Sequence, residues 1–141
     1  MTAGAERSID PPITQASEPY WDATRNGQLR FQWCNQCSIW MHYPRPRCTK
    51  CLGADLSYRD PGSDFRLYSW ALHSAVGASA PRMVALVQIS DGLRILTNVI
   101  DETGTFDGLD VDIALSLDWQ PLGDGRNLPV FRTHPSHLEY S

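Results

Sequence analysis

The chain is expected to be mainly β, with one N-terminal helix, a metal-stapled ribbon and a five-stranded barrel. Three observations carry that expectation. Two Cys-x-x-Cys pairs, Cys34/Cys37 and Cys48/Cys51, use all four cysteines of the 141 residues. From Phe65 to Trp119 apolar and polar residues alternate in successive runs, and helical periodicity is nearly confined to one short stretch before Gly27.

Residues 1–16 carry Pro11 and Pro12 among small and polar types. They bury too little surface to offset ordering entropy, so a flexible arm is expected there. Ser17 stands where an N-cap would, Glu18 and Pro19 fill a first turn, and Tyr20, Trp21 and Ala23 line one side before Gly27 ends a short helix. Two adjacent large aromatics must pack somewhere, either on the chain's own ribbon or against a ligand or partner. Leu29, Phe31 and Trp33 then alternate with Gln28, Arg30 and Gln32, a half-buried strand that runs into Cys34. Ile39 to Tyr43 reads as its return strand, stopped by Pro44 and Pro46. Helix and ribbon together are expected over 17–60.

Each knuckle brings two thiols onto one turn of backbone, and two knuckles supply the four-thiolate shell that structural zinc prefers. On ligand type zinc is favoured over iron. Such a shell is closed to water, so the metal is expected to hold structure and leaves no thiol for nucleophilic catalysis. Two disulfides would suit a small secreted domain, but residues 1–19 lack an apolar leader core. A redox pair would use one Cys-x-x-Cys at the mouth of a βαβ unit. A ribbon this small holds no core of its own, and metal binding in comparable peptide sites supplies about 10–16 kcal/mol.

The barrel is expected over 61–132, with a polar tail at 133–141. Phe65, Leu67 and Ser69 alternate with Arg66, Tyr68 and Trp70, and Arg82 to Ile89 is nearly continuous apolar, as a strand covered on both faces would be. Asp91-Gly92 marks a hairpin turn into Leu93 to Ile100. From Val111 to Trp119 the alternation is unbroken. Short strands with Gly and Pro turns fit a barrel of OB type, although the pattern alone does not separate it from an SH3-like barrel.

A net charge of −4 and a single lysine, Lys50, argue against a broad electrostatic grip on nucleic acid. Nothing approaches a membrane span. Reduced thiols and no targeting segment place the protein in the cytoplasm by expectation. Nucleophile-elbow, phosphate-loop and dinucleotide motifs are absent from the sequence. His42, His73, His134 and His137 read as structural or solvated, and Asp107, Asp110 and Asp112 as solubilising a loop.

The order Tyr20-Trp21, Gly27 to Cys37 (GQLRFQWCNQC), Tyr43 to Cys51 (YPRPRCTKC), then Tyr68-Ser69, Val84 to Val87, Thr97 to Ile100 and Leu128 to Phe131 resembles a known family. This is the acyl-CoA-associated family of rubredoxin-like zinc-ribbon plus OB-fold proteins once labelled domain of unknown function thirty-five. The likeness runs over roughly Ser17 to Arg132. It implies an accessory subunit, without catalysis of its own, for a thiolase-superfamily enzyme or thiolase-like aldolase, or for a hot-dog-fold hydratase, in lipid, steroid or polyketide metabolism. The ribbon and helix would dock on the partner, and the barrel would hold or pass the thioester. Departures at Pro61 to Phe65, Pro81-Arg82 and Gly108 to Asp110 bear on the acyl group rather than the fold.

For CoA, cationic forks must meet phosphates beside an apolar groove. Arg45 and Arg47, in the rigid loop between the knuckles, are the first candidates and Arg82 the next. Tyr20, Trp21, Trp40 and Tyr43 are the candidate partner contacts. The competing class is a nucleic-acid module, in which Trp33, Trp40 and Tyr43 would stack on bases.

Overall fold

The computed structural model describes residues 11–72, 82–101, 106 and 108–133. Its one helix among these, α1 (Glu18–Arg25), is followed by eight strands: β1 (Phe31–Cys34), β2 (Ile39–Met41), β3 (Leu56–Arg59), β4 (Phe65–Leu72), β5 (Arg82–Ser90), β6 (Leu93–Ile100), β7 (Ala114–Pro121) and β8 (Asn127–Thr133). The fold is thus the mainly β arrangement expected, with a helix, a ribbon and a closed five-stranded barrel. Among the described residues no helix is long and apolar enough to cross a membrane.

Helix α1 is short, and its ends are fixed by backbone. Gly27 takes φ +69°, which ends the helix where the sequence places it. Ser17 occupies the N-cap position but does not cap with its side chain. Its Oγ accepts from the Thr14 N–H at 2.8 Å instead, and so binds the preceding turn. That turn is held down further, because Tyr58 Oη donates to the Ala16 carbonyl at 2.6 Å and Arg126 to the Pro11 carbonyl at 2.7 Å. The last six residues of the expected arm are therefore attached to ribbon and barrel; its first ten lie outside the described residues.

The ribbon is a three-stranded antiparallel sheet in the order β2-β1-β3, with Trp33 opposite Trp40 on one side and Ser57 on the other. Making β1 central explains a departure from simple alternation. Gln32, a polar position in the pattern, is 4% exposed because its amide is engaged across the ribbon.

The barrel closes in the order β4-β5-β6-β8-β7. All its pairings are antiparallel except β6 with β8, which run parallel through Val99 opposite Phe131 and Ile100 opposite Arg132. This is a Greek-key route of the OB kind. Phe65, Leu67, Met83, Val87, Ile89, Val99 and Phe131 point inward and are nearly inaccessible, with Phe65 and Phe131 edge to face at 5.1 Å. A register shift between Leu67 and Ser69 makes Tyr68 the extra residue on β4. Past this bulge the faces exchange, so Trp70 rather than Ser69 packs against the core.

Helix and barrel share that core. Tyr20, Trp21, Leu29 and Phe31 belong to the same buried cluster as the barrel interior. At the seam Asn127 Nδ2 donates to the Thr24 carbonyl at 2.8 Å, and the Arg126 guanidinium lies 4.6 Å over the Trp21 ring.

Candidate functional site

The two knuckles meet between β1 and the loop before β3, and the four sulfurs all lie within 4.8 Å of one another. Cys34 Sγ is 3.7 Å from Cys51 Sγ, and Cys48 Sγ is 3.9 Å from Cys37 Sγ. A tetrahedron with metal–sulfur bonds of about 2.3 Å has edges of about 3.8 Å, so the donor set fits zinc. The knuckles are built alike. Ser38 N–H donates to the Cys34 carbonyl at 2.8 Å and Leu52 N–H to the Cys48 carbonyl at 2.9 Å. Each of these residues follows its knuckle at positive φ, +56° for Ser38 and +63° for Leu52. Neither is glycine, so composition gave no sign of the strain.

Backbone N–H groups point at the sulfurs: Cys37 N to Cys34 Sγ at 3.4 Å, Lys50 N to Cys48 Sγ at 3.3 Å and Gly53 N to Cys51 Sγ at 3.4 Å. A side chain at Gly53 would crowd the Cys51 sulfur, with a Cβ only 3.3 Å from it. Backbone donors from Cys51 and Lys50 draw the Cys48 thiol down to about 6, whereas its hydrogen bond to Cys51 leads the causes that push Cys37 up to about 12. One thiol is thus readily ionised and another retains its proton; a divalent cation replaces those protons and makes all four thiolates.

Gln32 ties the inter-knuckle loop to the ribbon. Its Nε2 donates to the Arg45 carbonyl and its Oε1 accepts from the Arg45 N–H, both at 2.8 Å. The Arg45 backbone is therefore fixed while its side chain is exposed. Arg47 is also exposed, and its guanidinium donates to the Leu52 carbonyl at 3.2 Å, across the second knuckle. Arg82 opens β5, and its side chain lies outside the described residues, as do His73, His134 and His137.

Of the four candidate partner contacts, Tyr20 and Trp21 are buried, at 5% and 7% exposure. They stand edge to face at 4.9 Å, and Tyr20 packs on Phe31 and His42. Trp40 is half-buried against Trp33, with ring centroids 4.9 Å apart. Tyr43 is 64% exposed. Tyr20, Trp21 and Tyr43 share one place, a cleft of about 470 Å³ between the helix and ribbon on one side and β6 and β8 on the other. Sequence reasoning missed its other walls: Pro11, Pro12, Thr14 and Ser17, from the segment before the helix that was expected to be mostly a flexible arm, and Ile95 to Asn98 and Leu128 to Val130, from strands far away in the chain.

His42 also borders this cleft. Burial pushes its imidazole down to about 4, so it is neutral at physiological pH. Its Nδ1 is a buried nitrogen without a hydrogen-bond partner among the described residues.

Geometry defines the class, a zinc-ribbon protein whose helix joins the ribbon to a closed five-stranded barrel. Residues 21–57 match the ChsH2, rubredoxin-like zinc ribbon domain family, so the ribbon is of that type. The whole described fold is similar to a chain of the Ltp2-ChsH2(DUF35) aldolase, with 27% identity and a TM-score of 0.73 over 88% of this chain and 98% of that one. A DUF35-family protein of unknown function from Sulfolobus solfataricus, 11% identical with a TM-score of 0.60 over 86% and 85% of the two chains, shares the fold. In sequence the chain is 28% identical over 127 residues to a probable enoyl-CoA hydratase alpha subunit of Thermomonospora curvata. That match takes in 86% of this chain but spans only 39% of the relative's length. The zinc-ribbon plus barrel resemblance read from the sequence is therefore the one found.

Proposed function

We propose that this chain is an accessory subunit, without catalysis of its own, that docks on a thiolase-like aldolase and helps to hold or pass an acyl-CoA substrate. The observation that carries this reading is the match to nearly the whole of one chain of an aldolase named for two components. The chemistry of the site agrees. All four thiols converge on one metal position, and the closed shell they form offers no open position for activating water. A neutral cleft lies beside the loop that carries Arg45 and Arg47.

A second reading, partnership with an enoyl-CoA hydratase, is favoured by the relative from Thermomonospora curvata. Since the matched part is the smaller share of that protein, its hydratase name describes more than the part this chain resembles. Either way the protein would serve acyl-CoA chemistry of lipid, steroid or polyketide type. Coexpression of the full chain with a thiolase-like chain, and separately with a hydratase chain, tests the reading. One of the two pairs should elute as a single complex and be more active than its catalytic chain alone. Separate elution of both pairs would overturn it.

A further inference from the structure

A docking subunit needs a face to dock with, and two of its four candidate contacts are spent internally: Tyr20 and Trp21 are buried in the chain's own core. The outer face of the sheet β4-β5-β6 is open instead. Register sets Ser69, Leu86 and Leu96 in one row across it and Val84 in the next. These positions alternate with the buried residues of β5 and β6, so they face outward. Leu86 and Val84 are half-buried, Leu96 is 59% exposed, and Tyr68, at the β4 bulge, is 42% exposed.

Charge on these strands is one-sided. They contain Arg66, Arg82 and Arg94 and no aspartate or glutamate, in a chain whose net charge is −4. Arg66 is neutralised by Asp64 at 2.7 Å. Arg94 is exposed and pairs with none of the described carboxylates. It is nevertheless held in place: its guanidinium carbon lies 3.7 Å from the centre of the Tyr68 ring, and its Nε donates to Gln88 Oε1 at 2.9 Å. Its Nη groups stay available to an incoming carboxylate. An arginine ordered in advance on an aromatic ring gives up little freedom on binding, which suits it to anchor an interface.

A second copy of the chain would bring no carboxylate to Arg94, because the strands of this face carry none. Single-stranded nucleic acid needs repeated cations along its backbone and aromatic faces open to its bases. Here one arginine stands without a carboxylate, and it covers the Tyr68 ring that a base would use. An added strand finds no open edge, because the five strands close on themselves. What matches is a protein surface with an apolar centre and a carboxylate at its rim. We propose that the outer face of β4-β5-β6 docks on the catalytic partner, setting Leu86 and Leu96 on an apolar patch and Arg94 on an acidic side chain beside it. The existence of the partner rests on the subunit reading; the place and chemistry of the contact rest on the barrel face.

The test is binding of the zinc-loaded full chain to an immobilised thiolase-like chain, and separately to a hydratase chain, at low and at high salt. Leu96→Arg and Arg94→Glu alter exposed positions, so zinc content and the urea-unfolding midpoint should hold. Each should weaken the complex at least about tenfold, and Arg94→Glu should also flatten its salt dependence. Gly123→Glu, in the turn between β7 and β8 where an added Cβ meets nothing within 4 Å, should leave the affinity unchanged. Affinity unmoved by both Leu96→Arg and Arg94→Glu would overturn the proposal and leave the subunit reading standing, whereas binding to neither catalytic chain would end both. Dimerisation of the isolated chain that Leu96→Arg abolishes would assign the face to a second copy, and binding of an oligothymidylate that Arg94→Glu abolishes would assign it to nucleic acid; either result would also overturn the proposal.

Discussion

Gln32→Ala removes the side chain that spans from the central ribbon strand to the loop between the knuckles. Two hydrogen bonds of 2.8 Å are lost together, and the Arg45 N–H and carbonyl are both released. At about 0.5–1.5 kcal/mol net for each bond, the variant should be less stable by about 1–3 kcal/mol. The clamped residue stands two positions before Arg47 and three before Cys48, so opening of the loop precedes access to the metal. Transfer of zinc to a chromogenic chelator should then accelerate by about 5- to 150-fold, the same free energy expressed as a rate. Urea unfolding and chelator transfer measured on the same zinc-loaded samples provide the assay. Gln32→Glu serves as the control. It keeps an acceptor for the Arg45 N–H but sets a carboxylate against the Arg45 carbonyl, so it should resemble alanine near neutral pH and recover as the carboxyl protonates. If Gln32→Ala unfolds and releases zinc as the parent does, the clamp contributes nothing and the reasoning about the loop is wrong.

Cys48→Ser should abolish stoichiometric zinc by elemental analysis and destabilise the ribbon, because a structural zinc contributes on the order of 10 kcal/mol. Full zinc occupancy in that variant would contradict the assignment of ligands. His42 has its pKa lowered by burial, so the unfolded chain binds the proton more readily and stability is lost as pH falls from about 6.5 towards about 4. Between about pH 7.5 and about 5.5 this costs on the order of 1 kcal/mol, and His42→Phe should flatten that part of the urea-unfolding profile; an unchanged slope would place the titration elsewhere. Asn127→Ala removes the Nδ2 bond to the Thr24 carbonyl that ties β8 to α1. It should cost about 1 kcal/mol and raise hydrogen exchange in the helix without altering zinc content.

The metal centre was legible because zinc needs four donors and the two knuckles place them at fixed spacing along the chain. The barrel strands were legible for a similar reason, since a buried interior imposes a period of two. What escaped is whatever depends on contacts distant in sequence or on a local break in that period. Strand β3 pairs with β1 across the second knuckle, and nothing in Leu56 to Arg59 alone demands it. The Tyr68 bulge transfers Trp70 to the core side, a one-residue slip that alternation cannot reveal. Val111 to Ile113 continues the alternation of β7 but is not regular strand. Asp112 takes φ +74°, and the segment meets β4 through Asp112 N–H to the Leu67 carbonyl at 2.7 Å and Leu67 N–H to the Ile113 carbonyl at 3.0 Å. The sequence left Tyr20 and Trp21 open between core and partner. They are buried by Phe31 and by barrel residues far along the chain, which no local pattern records. The cleft was invisible for the same reason, being assembled from the segment before the helix, the helix, the ribbon and two barrel strands.

The proposed role is that of a metal-clasped scaffold, without catalysis of its own, working beside a partner enzyme's active site. Its most direct test is turnover of an acyl-CoA substrate by a coexpressed aldolase or hydratase chain, assayed with and without this protein after passage over a sizing column. The account predicts one co-eluting, zinc-containing complex that is more active than the catalytic chain alone, and no turnover by this chain in isolation. Turnover by the isolated chain, or a catalytic chain that elutes separately and works equally well without it, would contradict the account.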